Sequence, residues 1–252
     1  KCGMTGVDGK RVIDGRPETL RKTIDESLQR LQTDAIDLYY LHRFDKLNGV
    51  PIEDSVGELG RMNEAGKVRQ IGLSEVSAAT IHKAHAEHPI AAVQSEYSLW
   101  SRNVEIGVLD ACTEIGAAFV AFSPLARGFL TSTDIDPARF AEKDIRRGMP
   151  RFNEPHFSRN QSLLPVFRQI AKDAGCAPAQ LALAWLLQKA PHIIPIPGTT
   201  SVANLSENLG SEGITLSKDI CERVETLINQ ITVSGGRYPP TTQSEVDTEE
   251  FS

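Results

Sequence analysis

An α/β fold built on a parallel sheet, taken as a (β/α)8 TIM barrel, is what this sequence predicts, and three features predict it. Five short aliphatic segments recur with amphipathic helical stretches between them. Those segments run apolar without polar alternation, as strands buried in a parallel sheet do. No G-x-G-x-x-G follows an early segment, which turns the choice from an open dinucleotide-binding sheet toward the closed barrel.

The first legible element is a helix over 17–32: Pro17 suits a first-turn position, and Leu20, Ile24, Leu28 and Leu31 recur at helical spacing. A strand follows at 35–41, then a helix at 52–65 closed by Gly66, a strand at 68–73, a helix at 77–87 and a strand at 90–95. The helix expected over 104–115 stops at Gly116, and a strand at 117–122 comes next. Helices at 162–173 and 178–189 are separated by Gly175, and the run Leu181, Leu183, Ala184, Trp185, Leu186, Leu187 marks the second as a core helix. The fifth strand is expected at 192–197, and helices at 202–209 and 217–230 flank Gly210. Two stretches stay irregular: 131–158, whose length inside a compact domain points to a functional loop near the active site, and a polar tail at 234–252. One barrel domain over 1–252 is the expectation, N-terminally incomplete. About 250 residues normally complete eight strands, only five are legible, and the first two to three are expected to precede Lys1, where a strand ending in Lys1-Cys2-Gly3 fits the periodicity.

Composition narrows the function classes. The 252 residues are 40% hydrophobic, 24% charged and 6% aromatic, ordinary globular usage with ample material for a core. A net charge of -6 argues against nucleic acid and anionic membrane as partners. No apolar run approaches the ~18 residues of a membrane span, and a cytoplasmic protein is expected. Cys2, Cys112, Cys176 and Cys221 are scattered without a C-x-x-C pair, so neither a disulfide framework nor a metal site is indicated. His82, His85 and His88 read as a solvated helix face rather than a metal tract. Oligomeric state is left open.

In a barrel the reactive residues follow the strands' C-terminal ends. His42 directly follows a strand, where an imidazole can donate to a carbonyl oxygen or shuttle a proton; a satisfied structural histidine is the alternative. Ser74 and Gln94 project from neighbouring strands, and a hydroxyl beside an amide can fix a planar carboxamide such as that of nicotinamide, though barrel hydrogen bonds explain each equally well. Phe122 can lie against a ring, while Ser123, Arg127 and Gly128 offer donors, charge and close backbone approach to a pyrophosphate. Pro197, Gly198, Thr199, Thr200 and Ser201 lead into a helix and form either a phosphate seat or a plain helix cap. Arg146, Arg147 and Arg151 meet an acidic substrate or are solvated charge.

In order along the chain, the blocks Lys1-Cys2-Gly3-Met4, Ile36-Asp37-Leu38-Tyr39-Tyr40-Leu41-His42-Arg43, Gly66 through Glu75, Val93 through Arg102, Phe122 through Gly128 and Pro195-Ile196-Pro197-Gly198-Thr199-Thr200 resemble the aldo-keto reductase superfamily. The nearest resemblance is to its branch of pyridoxal reductases and perakine reductase-like enzymes. It implies a (β/α)8 barrel of aldo-keto reductase type and hydride transfer between NADP(H) and an aldehyde or ketone as small-molecule substrate, with NAD(H) as the alternative cofactor. Of the family's catalytic Asp, Tyr, Lys and His, the resemblance places the lysine at Lys1 and the histidine at His42, with the other two upstream of Lys1. By motif position it puts the carboxamide at Ser74, Glu75 (where many relatives have Asn) and Gln94, and the ring at Phe122. The pyrophosphate falls along Ser123, Pro124, Leu125, Arg127 and Gly128, and the adenosine end along Pro197, Gly198, Thr199, Thr200, Ser201, Glu207 and Asn208. Ser201 stands where plant relatives often carry Lys, which implies weaker discrimination for the 2′-phosphate. Neither Tyr39 nor Tyr40 matches the tyrosine position, and Tyr97 matches none of the four. A carbonyl reductase is the leading expectation; an NADP(H)-binding protein without turnover, or an inactive truncated product, is the alternative.

Overall fold

The computed structural model describes residues 1–7 and 10–251. Strand β1 (Met4–Val7) pairs antiparallel with β2 (Lys10–Ile13), with Met4 opposite Ile13. Helix α1 (Pro17–Leu31) then leads to β3 (Ile36–Leu41), α2 (Ile52–Glu64), β4 (Val68–Ser74), α3 (Ala78–Glu87) and β5 (Ile90–Glu96). Helix α4 (Val108–Ile115), β6 (Ala118–Phe122), α5 (His156–Gln161), α6 (Leu164–Asp173), α7 (Pro178–Lys189) and β7 (Ile193–Ile196) follow, and α8 (Val202–Leu209), α9 (Lys218–Leu227) and the short α10 (Pro240–Gln243) end the chain.

Strands β3 to β7 form one parallel sheet in sequence order, so each connection steps one strand in the same direction. Right-handed crossovers in that order place every helix on the same side of the sheet. The pairing of neighbours follows: α1 packs on α2, α2 on α3 and α3 on α4, with α2 against β4 and α4 against β6. Tyr39, Leu41, Ile71, Leu73, Val93 and Phe119 face this layer and are buried with Leu20, Val56, Leu59, Ile81, Cys112 and Trp185. Each such aliphatic or aromatic side chain contributes about 1.5–3 kcal/mol by leaving water.

The opposite face differs from the expectation of strands covered on both sides. It carries only a small cluster of Tyr40, Ala92 and Val120, and it exposes Leu38, Ile194 and Ile196. Among the described residues the sheet is open, with β3 and β7 at its edges and a single parallel bridge from Cys2 to Leu41 alongside β3. Gly72 is required on this face: a Cβ there would lie 2.5 Å from the Tyr40 ring.

Several element boundaries also depart from the sequence reading. The hairpin of β1 and β2 has no aliphatic run to announce it. The helix expected over 104–115 divides at Gly107 into a 3-10 turn, Asn103–Ile106, and α4; Gly107 itself sits close to Ala78, where a Cβ would lie 3.2 Å from the alanine methyl. The stretch 131–158 is built of 3-10 turns at Pro137–Arg139, Ile145–Gly148 and Pro150–Phe152 and then enters α5. The polar tail is packed rather than loose: Arg237, Val246 and Thr248 are buried.

Candidate active site

Strand order brings the C-terminal ends of β3, β4, β5 and β6 side by side, so residues far apart in sequence meet at one end of the sheet. Cys2 accepts from His42 N–H at 2.8 Å and donates to Tyr40 O at 2.9 Å, which fixes Lys1 beside the end of β3. The Lys1 Nζ donates to Gln94 Oε1 at 2.7 Å and to Ser74 Oγ at 3.2 Å and lies 5.1 Å from the centre of the Tyr40 ring. Burial, reinforced by the Arg43 cation and opposed by Glu75, lowers the Lys1 ammonium to about 8. Burial and the neighbouring cations Lys1 and Arg43 push His42 down to about 4, so its imidazole is neutral at pH 7. Lys1, His42, Ser74 and Gln94 are therefore gathered in one place: a cation that can still release its proton near neutrality, a neutral ring donor, a hydroxyl and an amide.

Tyrosines flank the group without replacing it. Tyr39 points to the helix layer, 3.3 Å from Ser27 Oγ, and the buried Tyr97 hydroxyl donates to Glu105 at 2.7 Å. Tyr40 is the tyrosine that Lys1 meets, and burial raises its phenol above the ordinary range.

Glu75 takes a different post from the carboxamide contact. It adopts a left-handed backbone at φ +57°, and its carboxylate accepts from Glu96 N–H at 2.8 Å and from Arg237 Nη2 at 2.7 and 2.8 Å, with Arg43 Nη1 at 3.3 Å. Glu96, buried one strand over, is ringed by Arg237, Arg127 and Arg151; their charge outweighs the burial that would raise it and holds its carboxyl below the usual range. Arg151, from the long loop, donates to Ser101 Oγ at 2.7 Å and to Gly235 O at 3.1 Å, and burial brings its guanidinium down to about 10. It is half-buried and shares the lining of a small cavity with Arg102, Asn103 and Arg237. Arg147 is exposed and donates to Phe140 O.

A cleft of about 640 Å³ opens beyond the ends of β6 and β7. Of the residues expected at the cofactor it gathers Ser123, Pro124, Leu125, Arg127, Gly128, Pro197, Gly198, Thr199, Glu207 and Asn208. Ser74, Glu75, Gln94, Phe122, Thr200 and Ser201 do not line it. Phe122 ends β6 in register with Glu96 on one side and Ile196 on the other, between the cleft and the Lys1 group. The cap reading of Ser201 holds locally: its Oγ accepts from Asn204 N–H at 3.3 Å and opens α8. Arg127, in left-handed backbone at φ +56°, sends Nη2 to Glu96 and to the Tyr238 hydroxyl, both at 3.2 Å.

The expected loop 131–158 adds Thr131, Ser132, Thr133, Asp144, Ile145 and Arg146 to the cleft, while Ala179 and Asn204 are cleft residues that the sequence did not single out. Arg146 had a signal as one of the loop arginines; here it is tied to Asp144 at 2.7 Å, donates to Arg127 O and lies 4.1 Å from the Phe140 ring centre. The histidines of α3 serve local ends: His85 Nδ1 accepts from Ile90 N–H and His82 meets Glu114 at 3.3 Å.

The family model described as "Aldo/keto reductase family" matches residues 1–229. This chain belongs to the aldo/keto reductase family. It is 42% identical over 241 residues to the NADP(+) aldo-keto reductase yakc of Schizosaccharomyces pombe, covering 94% of this chain and 70% of that protein. Its fold is similar to that of the glycerol dehydrogenase AKR11B4 from Gluconobacter oxydans, with a TM-score of 0.81 and 26% identity over 94% of this chain and 73% of that one. The thermostable aldo-keto reductase Tm1743, solved with the inhibitor epalrestat, superposes with a TM-score of 0.65 and 27% identity over 84% of this chain and 67% of its own. Aldo/keto reductase membership fits a site built where the strands end, with Lys1 and His42 on neighbouring backbone.

Proposed function

We propose that this chain is an NADP(H)-dependent oxidoreductase that acts on the carbonyl of an aldehyde or ketone, and that β3 to β7 are strands of an eight-stranded barrel. The observation that carries the reading is the convergence of Lys1, His42, Ser74 and Gln94 at the C-terminal ends of β3 to β5, beside the cleft beyond β6 and β7. Sequential strand order, helices on one side and the likeness to AKR11B4 support the barrel. The NADP(+) specificity in the name of the relative yakc supports NADP(H).

The residues present fit a dinucleotide. The cleft has the volume for its phosphates and adenosine and is walled by backbone in left-handed conformation at Ser123, Arg127 and Gly128. A Cβ at Gly198 would meet nothing within 4 Å, so a ligand can approach that backbone closely. Arg127 and Arg146 supply positive charge on its wall, Asn208 and Glu207 take the adenine end, and Ser74 and Gln94 take the carboxamide. When bound, the reduced nicotinamide supplies a hydride to the carbonyl carbon. The Lys1 ammonium and the neutral His42 ring donate toward the carbonyl oxygen, stabilising the charge that develops there.

A second reading is dinucleotide binding without turnover, since the Lys1 Nζ is already engaged by Gln94 and Ser74. Titrating NADPH against intrinsic fluorescence and then following NADPH consumption with an activated nitrobenzaldehyde separates the two. Binding with turnover supports the reductase, binding without turnover supports the second reading, and no binding overturns both.

A further inference from the structure

Glu75 stands in a conformation that a long L side chain avoids. Left-handed backbone at φ +57° is tolerated by glycine and, among the others, chiefly by Asn and Asp. Every polar group of this residue is nonetheless engaged. Its N–H donates to Gln94 O at 3.0 Å, its carbonyl accepts from Asp247 N–H at 3.1 Å, and its carboxylate takes Glu96 N–H and the guanidiniums of Arg237 and Arg43. Two of these partners, Arg237 and Asp247, come from the C-terminal segment, some 160 residues or more downstream. The Arg237 side chain is only 2% exposed and Glu75 only 1%, so the pair is shielded from solvent and from salt. Glu75 also lies between the two residues that would take the carboxamide: it follows Ser74 directly and is bonded through its N–H to the carbonyl of Gln94.

We propose that Arg237 is a positioning residue for the dinucleotide. By clamping the Glu75 carboxylate it holds the strained turn after Ser74, and so sets Ser74 and Gln94 at the separation that a carboxamide needs, without itself reaching the ligand. The proposal rests on the nicotinamide reading above. It explains how Glu serves at this position: an asparagine tolerates the left-handed turn through its own backbone preference, whereas glutamate requires an external cation to hold it there.

The test is a set of equilibrium titrations on residues 1–252 with two probes: NADPH, and adenosine 2′,5′-bisphosphate, which lacks the nicotinamide. Arg237→Met is expected to weaken NADPH by about tenfold, the loss of one charge-assisted contact's worth of positioning, and to leave the bisphosphate unchanged. Arg237→Lys restores part of the affinity. Glu75→Asn/Arg237→Met, which removes the need for the clamp, binds NADPH within about threefold of the unsubstituted chain. This double variant also carries the test should the single one unfold in a thermal melt. Equal weakening of both probes by Arg237→Met assigns the arginine a merely structural role and overturns the proposal, as does a double variant as weak as Arg237→Met. NADPH binding that Arg237→Met leaves unchanged overturns this inference alone; no NADPH binding by the unsubstituted chain overturns the nicotinamide reading and this inference together.

Discussion

His42 shows how much of the chemistry is set by neighbours rather than by residue type. Enclosed and faced by the Lys1 and Arg43 cations, its imidazole is brought from 6.5 to about 4. The unfolded chain therefore binds a proton near pH 6.5 that the folded chain refuses until about 4, so stability falls as pH drops through that window and owes nothing to this group above it. Heteronuclear NMR of the imidazole should show a neutral ring throughout pH 5–8, and a midpoint near the ordinary value would contradict the burial account. Ser201 yields a second expectation. With no cation at the head of α8, discrimination between NADPH and NADH should be modest, and Ser201→Lys should raise the affinity ratio by about threefold to fivefold, as an exposed ion pair does. A chain that already rejects NADH strongly, or a ratio that the lysine leaves unchanged, would contradict this. The sequence made His42, Ser74 and Gln94 legible because each directly follows or ends an apolar run. It could not disclose that the Glu75 carboxylate is taken up by Arg237, since nothing in local spacing announces a partner so far downstream.

The helices and their ends depend on one another across the chain. Asp247 Oδ2 accepts from Ser77 N–H at 3.0 Å, Ser77 Oγ at 2.9 Å and Thr80 Oγ1 at 2.7 Å, so the C-terminal segment caps α3. Ala78 N–H donates to Glu249 Oε1 at 2.8 Å and adds a second acidic group where the helix dipole is positive. Asp247→Ala should therefore cost about 1–3 kcal/mol, read from the midpoint of urea unfolding, because it strands the donors that it now satisfies. An unchanged midpoint would mean that the tail merely rests on α3. Most elements were legible from periodicity: α1, α2, α3, α6, α7, α8, α9 and all of β3 to β7 lie within a few residues of their expected places. Two kinds of element were not legible. The local β1–β2 hairpin lacks an aliphatic run, and the tail, polar in composition, is ordered by distant hydrogen bonds to α3 and by Arg237.

Among the described residues the sheet carries its helices on one side, and this governs the behaviour of residues 1–252 in solution. The free edges of β3 and β7 and the exposed Leu38, Ile194 and Ile196 present unpaired backbone and apolar surface together. Residues 1–252 should associate with rising concentration and bind a hydrophobic dye, and light scattering should give a mass above 27.6 kDa. A sharp monomer that ignores the dye would show that this face is covered. The parallel order of the strands was legible from alternation of strand and helix, but closure was not, because it depends on partners for both edges rather than on any pattern within a strand. The central claim is that the cleft beyond β6 and β7 and the Lys1 group together form one dinucleotide site. Amide hydrogen exchange with and without NADPH tests this most directly. The account predicts slowed exchange in residues 74–75, 94–96, 123–128, 144–146 and 197–208, with the helix layer unchanged. Protection confined to other segments, or none at saturating NADPH, would contradict it.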